Sequence, residues 1–207
     1  MGFDLDLTLA DTRAGIAAAF AVLSERLGVP IDADVVVSRL GPPLEVELAH
    51  WLPEEEVPAA AALYRSLYAE IAVPLTTAMP GAVEAVAAVR RAGGDVIVVT
   101  AKNTADARRT VRALGLDATE VVGLVFGPQK GEALAAFGAS AYVGDHVADI
   151  AAARAGGALS VGVATGPYTA DQLRDHGADV VLADLTAFEE WYDAWRIREI
   201  GADSTVI

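Results

Sequence analysis

From Pro80 onward the chain alternates short β-branched runs with helical stretches, and no other feature narrows its fold so far. Helical periodicity over Ala82 to Ala92 precedes a strand run at Asp95 to Val99, a helix at Thr104 to Leu114 and a strand at Val121 to Phe126. Then follow a helix at Gly131 to Phe137, a strand at Ala141 to Val143, a helix at Val147 to Ala155 and a strand at Leu159 to Val163. The series ends with a helix at Ala170 to Asp175, a strand at Asp179 to Leu182 and a last helix from Ala187. Strands separated by helix-length crossovers pair in parallel, so the pattern predicts an α/β fold with a doubly wound parallel sheet. Residues 12–78 break it. They read as helical throughout: Arg13 to Leu27, Ala33 to Leu40, Leu44 to Leu52 and Glu54 to Ile71, punctuated by Gly28, Gly41-Pro42-Pro43 and Pro53. The expected organisation is an α/β core from residues 1–11 and 79–207 with an all-helical cap, residues 12–78, inserted after a very short first strand. Open α/β sheets bind ligands at the carboxyl ends of their strands, which places the cap over the ligand crevice.

Composition removes several function classes. The formal net charge of −14 argues against a nucleic-acid partner, which calls for a basic face. Hydrophobic residues make up 54% and mean hydropathy is +0.39, yet no apolar run reaches the roughly 20 residues that span a bilayer. No membrane association and no export signal are expected, which suggests a cytoplasmic protein. With no cysteine, disulfides, thiol catalysis and cysteine-based zinc sites are all excluded. The basic residues are more informative: of 15, only Lys102 and Lys130 are lysine. Arginine does not replace the compact ammonium isosterically, so these two positions draw attention before any motif does.

Four segments lie at or just after predicted strand ends: Asp4-Leu5-Asp6-Leu7-Thr8, Thr100, Lys130 and Gly144-Asp145-His146-Val147-Ala148-Asp149. A parallel sheet gathers strand ends along one edge, bringing together carboxylates, a hydroxyl and an ammonium. Phosphoryl transfer through a covalent intermediate needs that set: a carboxylate nucleophile, a second carboxylate to move protons, more acid to hold a divalent cation, and donors for the phosphoryl oxygens. Asp11 and Thr12 read mainly as a helix N-terminal cap, and His50, His146 and His176 have no ligand-like spacing, although His146 sits within the fourth segment.

In order, strand context and approximate spacing these segments resemble the haloacid dehalogenase (HAD) superfamily, over essentially the whole chain. Asp4-Leu5-Asp6-Leu7-Thr8 matches the first motif, Asp-x-Asp-x-Thr, and Thr100 in Val98-Val99-Thr100-Ala101-Lys102-Asn103 the second. Lys130 matches the third and Gly144 to Asp149 the fourth, Gly-Asp-x-x-x-Asp. The resemblance implies a HAD-like Rossmannoid core and a Mg²⁺-dependent phosphatase acting on a small phosphorylated metabolite, phosphoglycolate-like or a sugar phosphate. It implies Asp4 as nucleophile and Asp6 as acid and then base. Mg²⁺ would be held by the Asp4 carboxylate, the Asp6 backbone carbonyl and Asp145, with Asp149 supporting them or binding through water. Thr100, with Ala101 beside it, and Lys130 would hold the phosphoryl group. The insert resembles the helical cap of the phosphoglycolate phosphatase-like branch, where Arg39-Leu40-Gly41-Pro42-Pro43-Leu44 matches a cap loop. Arg39, then Lys102, are the candidates to contact an acidic or polar leaving group.

Three other activities remain open on these residues. A phosphosugar mutase would keep every core residue, and a non-catalytic phosphate-binding or regulatory protein would be expected to have lost one. A dehalogenase is disfavoured because those relatives lack the acid supplied here by Asp6. The oligomeric state, monomer or homodimer, is open too. Two departures from the family pattern stand out. Leu7 occupies a position commonly glycine, where leucine does not adopt positive φ cheaply, so a differently shaped loop is expected. Only three residues precede Asp4, against the usual five or so of a first strand, which implies a translation start upstream of Met1. An intact mass of the native protein that begins at Met1 or Gly2 would refute that last expectation.

Overall fold

The computed structural model describes residues 1–203. Six strands form one parallel sheet: β1 (Gly2–Phe3), β4 (Ile97–Val99), β5 (Glu120–Val122), β6 (Ala141–Gly144), β7 (Leu159–Val163) and β8 (Val180–Leu182). Their order across the sheet is β5-β4-β1-β6-β7-β8. Counted along the chain this is 3-2-1-4-5-6, the doubly wound order that opens its ligand crevice beside the first strand. Short as it is, β1 lies in the middle, with Gly2 and Phe3 in register with Ile97 and Val98 on one side and Tyr142 and Val143 on the other. Pairing continues past both ends: Ile97 N–H donates to the Met1 carbonyl and Asp4 N–H to that of Val143.

The strands bury both faces, as sheets covered on two sides must. Alternation along β4 sends Val98 into one apolar cluster with Phe3, Val143 and Phe188, and Ile97 and Val99 into another with Leu134, Tyr142 and Ala152. The first cluster is closed by α5 (Ala82–Arg91), α6 (Thr104–Ala113) and α10 (Phe188–Asp203), the second by α7 (Gln129–Ala136) and α8 (Val147–Ala155). The last helix continues through the segment after Arg198 that lacks a sequence pattern; residues 204–207 of that tail lie outside the described residues.

The insert is helical, with α1 (Arg13–Leu27), α2 (Ala33–Ser38), α3 (Leu44–Leu48) and α4 (Val57–Ile71) enclosing their own apolar cluster around Phe20, Leu23, Leu48, Tyr64 and Tyr68. Sequence reading misses the join. The last residues before the insert pair with the last residues of its expected span as a two-stranded antiparallel ribbon, β2 (Ala10–Asp11) with β3 (Thr77–Ala78). Two residues per strand give no period to detect. The helix α9 (Ala170–Asp175) agrees with its expected span, whereas the strand expected at Val121 to Phe126 stops at Val122. There Gly123 passes so close to the Lys102 carbonyl that a Cβ would lie 2.4 Å from it, and Leu124 turns with φ 63° to donate its N–H to that same carbonyl.

The expectation for Leu7 is overturned. The loop keeps a left-handed residue at this position, and Leu7 itself adopts it at φ 60°. Its N–H donates to the Ala10 carbonyl, its own carbonyl accepts from Thr165 Oγ1 at 2.6 Å, and its side chain is buried. The conformation costs about 1–2 kcal/mol, whereas deleting a buried leucine side chain costs about 2–5 kcal/mol. Leu7→Gly is therefore expected to destabilise the protein by about 1–3 kcal/mol in urea denaturation despite relieving the backbone.

Candidate active site

The ends of the three central strands converge. Asp4 follows β1, Thr100 follows β4 and Asp145 follows β6, and all three are buried. Lys130 reaches the same point from the first turn of α7 and is only 2% exposed. Its Nζ donates to Asp149 Oδ1 at 2.7 Å and to the Tyr142 hydroxyl at 2.9 Å, and lies 3.0 Å from Asp4 Oδ1. The contact with Asp4 is an ion pair off the line of a hydrogen bond, so Asp4 Oδ1 is a buried oxygen without an aligned donor. Tyr142 in turn donates to the Val99 carbonyl at 2.7 Å, fixing the lysine from behind. The hydrophobic pattern of β6 identifies Tyr142 as core and carries no hint of this second duty.

Asp4, Asp145 and Asp149 can each bring one carboxylate oxygen within 4.8 Å of the others. Three buried acids so close oppose one another's ionisation. Burial, followed by the charges of Asp149 and Asp6, raises Asp4 to about 7 against the opposing pull of Lys130. Asp145 is held well above the usual carboxylate range by burial first and then by Asp4 and Asp149. Thr8 Oγ1 donates to Asp145 Oδ1 at 2.8 Å, while the backbone of Gly166 approaches so closely that a Cβ there would lie 1.8 Å from Asp145 Oδ2. Asp149 is differently placed. It caps α8 together with His146: His146 Nδ1 accepts from Ala148 N–H while Asp149 Oδ2 accepts from His146 N–H. With Lys130 on its other oxygen, both Asp149 oxygens are engaged.

Asp6 stands apart from this cluster. Thr12 Oγ1 donates to Asp6 Oδ1 at 2.7 Å and Lys102 Nζ lies 3.1 Å from the same oxygen. Thr12 thus spends its hydroxyl on Asp6 rather than on capping α1, which has no side-chain cap, and Asp11 instead pairs with Arg13. The chain's two lysines consequently serve its two leading aspartates, Lys130 with Asp4 and Lys102 with Asp6. Burial alone would lower Lys102, the largest single effect, but Asp6, Tyr68 and Tyr64 together outweigh it and raise its affinity for the proton.

Asp6, Ala101 and Lys102 open onto a cleft beneath the cap, shared with Arg39. Arg39 is not free there: Nε and Nη2 bind Glu47 at 3.1 and 2.5 Å, and Trp51 Nε1 donates to the same carboxylate. Thr100 accepts the Lys102 N–H at 3.3 Å, and Asn103, not Thr100, caps α6. His146 sits where the cap loop meets the core, against Gly41, whose missing side chain would lie 2.8 Å from the ring. Thr8, Tyr142 and Gly166 are participants that sequence reasoning leaves without a role, and Thr12 is one to which it assigns only the helix cap.

Comparison with known proteins agrees with this geometry. The haloacid dehalogenase-like hydrolase profile matches residues 1–154, and a second profile of HAD-hydrolase-like proteins matches residues 129–188. The chain is 32% identical over 202 residues to the probable phosphatase IndB of Dickeya dadantii, with 87% of each chain covered. It is 30% identical over 116 residues to the tyrosine-protein kinase PtkA of Mycobacterium tuberculosis, covering 56% of this chain and 40% of that one. Its fold superposes with a TM-score of 0.79 on a predicted phosphoglycolate phosphatase from Haemophilus somnus, at 23% identity and over 92% and 96% of the two chains. The chain belongs to the haloacid dehalogenase-like hydrolases. Among the described residues, no helix is long and apolar enough to cross a membrane.

The raised proton affinity of Asp4 has a measurable sign. Asp4 binds its proton more tightly folded than unfolded, so its contribution to stability is fully present below about pH 4 and is lost as pH rises through about 7. In chelator, the melting temperature of the wild type should therefore fall relative to Asp4→Asn between pH 5 and 8, by calorimetry. A divalent cation held among these carboxylates would reverse the preference, and would then stabilise the wild type more at pH 8 than at pH 5.

Proposed function

We propose that the protein is a Mg²⁺-dependent phosphatase that hydrolyses a small phosphomonoester through an aspartyl phosphate on Asp4. The observation that carries this reading is the buried Asp4 carboxylate at the centre of the sheet edge, with one oxygen lacking an aligned donor and a buried lysine beside it. The residues also suit a hard divalent cation: an all-oxygen donor set, mutual repulsion that a cation would relieve, and no competing cysteine or clustered histidine. Asp4 and Asp145 would hold Mg²⁺ through their side chains and Asp6 through its backbone carbonyl, with Asp149 tied back by Lys130 and the helix cap. When bound, Mg²⁺ supplies positive charge that offsets the phosphoryl oxygens and the anionic nucleophile.

In the first step an Asp4 oxygen attacks phosphorus and the ester P–O bond breaks, the departing alkoxide taking the proton carried by Asp6. In the second, Asp6 removes a proton from water as that water's oxygen attacks phosphorus, releasing phosphate and restoring Asp4. Thr12 and Lys102 both engage Asp6 Oδ1, which fixes the carboxyl group and leaves Oδ2 for the proton. Lys130 holds Asp4 in place and meets the incoming phosphoryl oxygens, with the Thr100 hydroxyl opposite. The cap excludes water during the first step and must admit it for the second.

Phosphate release from small phosphomonoesters should require Mg²⁺ and stop in chelator. Asp4→Asn should lower turnover at least about 10³-fold while the protein stays folded. Undiminished release by Asp4→Asn would remove Asp4 as nucleophile and the proposed mechanism with it.

A further inference from the structure

The cleft between cap and core holds groups that the transfer of a phosphoryl group does not use. It is partly open to solvent and lies between residues of both the cap and the core. Ile16, Phe20, Leu40 and Leu44 give it apolar walls. Every charged side chain that lines it already has a partner of opposite sign: Lys102 with Asp6, Arg39 with Glu47, Arg65 with Glu45, and Asp106 with Arg109. Two polar atoms are left over. The Tyr68 hydroxyl, on a residue 1% exposed, and Arg65 Nε are both buried without an acceptor among the described residues; the Lys102 ammonium beside Tyr68 can only donate. They stand three residues apart on α4, hence on one face of that helix, and both residues line the cleft. A buried donor without an acceptor costs about 1–3 kcal/mol, and two on the same wall of one cleft mark the place where a ligand supplies what the protein lacks.

We propose that the leaving group is a neutral alcohol with an apolar ring or chain face and an oxygen acceptor, read by the Tyr68 hydroxyl and Arg65 Nε. This rests on the phosphatase reading above. The charge pattern decides between a neutral and an anionic leaving group. A carboxylate entering here would shed its water among ion pairs that are already satisfied and beside Asp6, Glu47 and Asp106. A carbonyl or hydroxyl oxygen accepts from the same two donors without bringing charge. Arg39, the residue expected from sequence to meet an acidic leaving group, is bound to Glu47 and adds no free charge. Small acidic leaving groups such as glycolate should thus be poor fits, because they neither cover the apolar walls nor find an uncompensated cation.

The test measures binding apart from turnover. Phenyl, 4-acetylphenyl and 4-carboxyphenyl phosphate share one apolar body and present no acceptor, a neutral acceptor and an anionic acceptor. Calorimetric titration of the Asp4→Asn variant with each ester, in Mg²⁺, is expected to rank acetyl above phenyl and carboxyl last, with about a tenfold gap between acetyl and carboxyl. Adding Tyr68→Phe should remove most of the acetyl preference over phenyl. Because it deletes an unpaired hydroxyl, it should leave the melting temperature unchanged or higher, whereas a purely structural role for the hydroxyl would lower it. Carboxyl binding as tightly as acetyl, a preference untouched by Tyr68→Phe, or no binding of any ester overturns the assignment. Turnover of the same esters by the wild type separates the two claims: the expected ranking in binding without phosphate release defeats the phosphatase reading and leaves the cleft assignment standing.

Discussion

The Lys130 ammonium is the interaction on which the rest of the site depends. Buried acids at the ends of β1 and β6 could not share so small a volume without a positive charge among them, since desolvation and mutual repulsion both push them towards the neutral form. Lys130 is itself fully buried, and burial alone would lower its affinity for the proton; Asp149 and Asp4 outweigh that and raise it. An ammonium so placed cannot be removed without leaving uncompensated buried charge, a loss worth several kcal/mol. Its position is over-determined, by the Tyr142 hydroxyl anchored on Val99 and by Asp149 anchored on the cap of α8.

These anchors explain why the strands and helices sit where they do. Tyr142 points to the face covered by α7 because strand residues alternate, and α7 delivers Lys130 over the same face. The helix α8 (Val147–Ala155) begins two residues after Asp145, with His146 between them as its cap, so the capping box holds Asp149 behind Asp145. Glycine supplies the remaining room: at Gly166 any side chain would collide with Asp145, and at Gly144 with Asp149. Charge, cap geometry and close backbone approach thus converge on one strand edge, which is what the doubly wound order offers and what an isolated acidic loop would lack.

Much of this was legible in the sequence, for reasons that differ between its parts. The α/β core followed from periodicity, and α1, α8, α9 and β7 begin and end where their patterns do. The rarity of lysine singled out two residues that the structure sets against Asp4 and Asp6. The ribbon of β2 and β3 was beyond reach because two-residue strands have no period, and the end of β5 because a close backbone contact at Gly123 overrides β-branched propensity. Leu7 shows the converse: its preference against positive φ is real, but backbone hydrogen bonds and a buried side chain together exceed it. Tyr142 and Thr8 were hidden because a core tyrosine and a loop threonine carry no mark of the distant partner they bind, and Thr12, read as a helix cap, turns its hydroxyl to Asp6 instead.

Lys102 joins the two halves of the molecule in a way neither half explains alone. It follows β4 in the core, yet its ammonium lies 4.5 Å from the ring centroid of Tyr68 in the cap while it pairs with Asp6. Attraction between an ammonium and an aromatic face strengthens as water is excluded, and here both partners are largely buried. The contact therefore depends on the cap being seated, and so does the dry environment that keeps Lys102 against Asp6. Moving α4 away would hydrate the ammonium and weaken its hold on the carboxylate, so the position of the cap and the electrostatics around Asp6 are coupled through one side chain. A single helix, α4, thereby presents Tyr68 and Arg65 to the cleft and sets the surroundings of the lysine that pairs with Asp6.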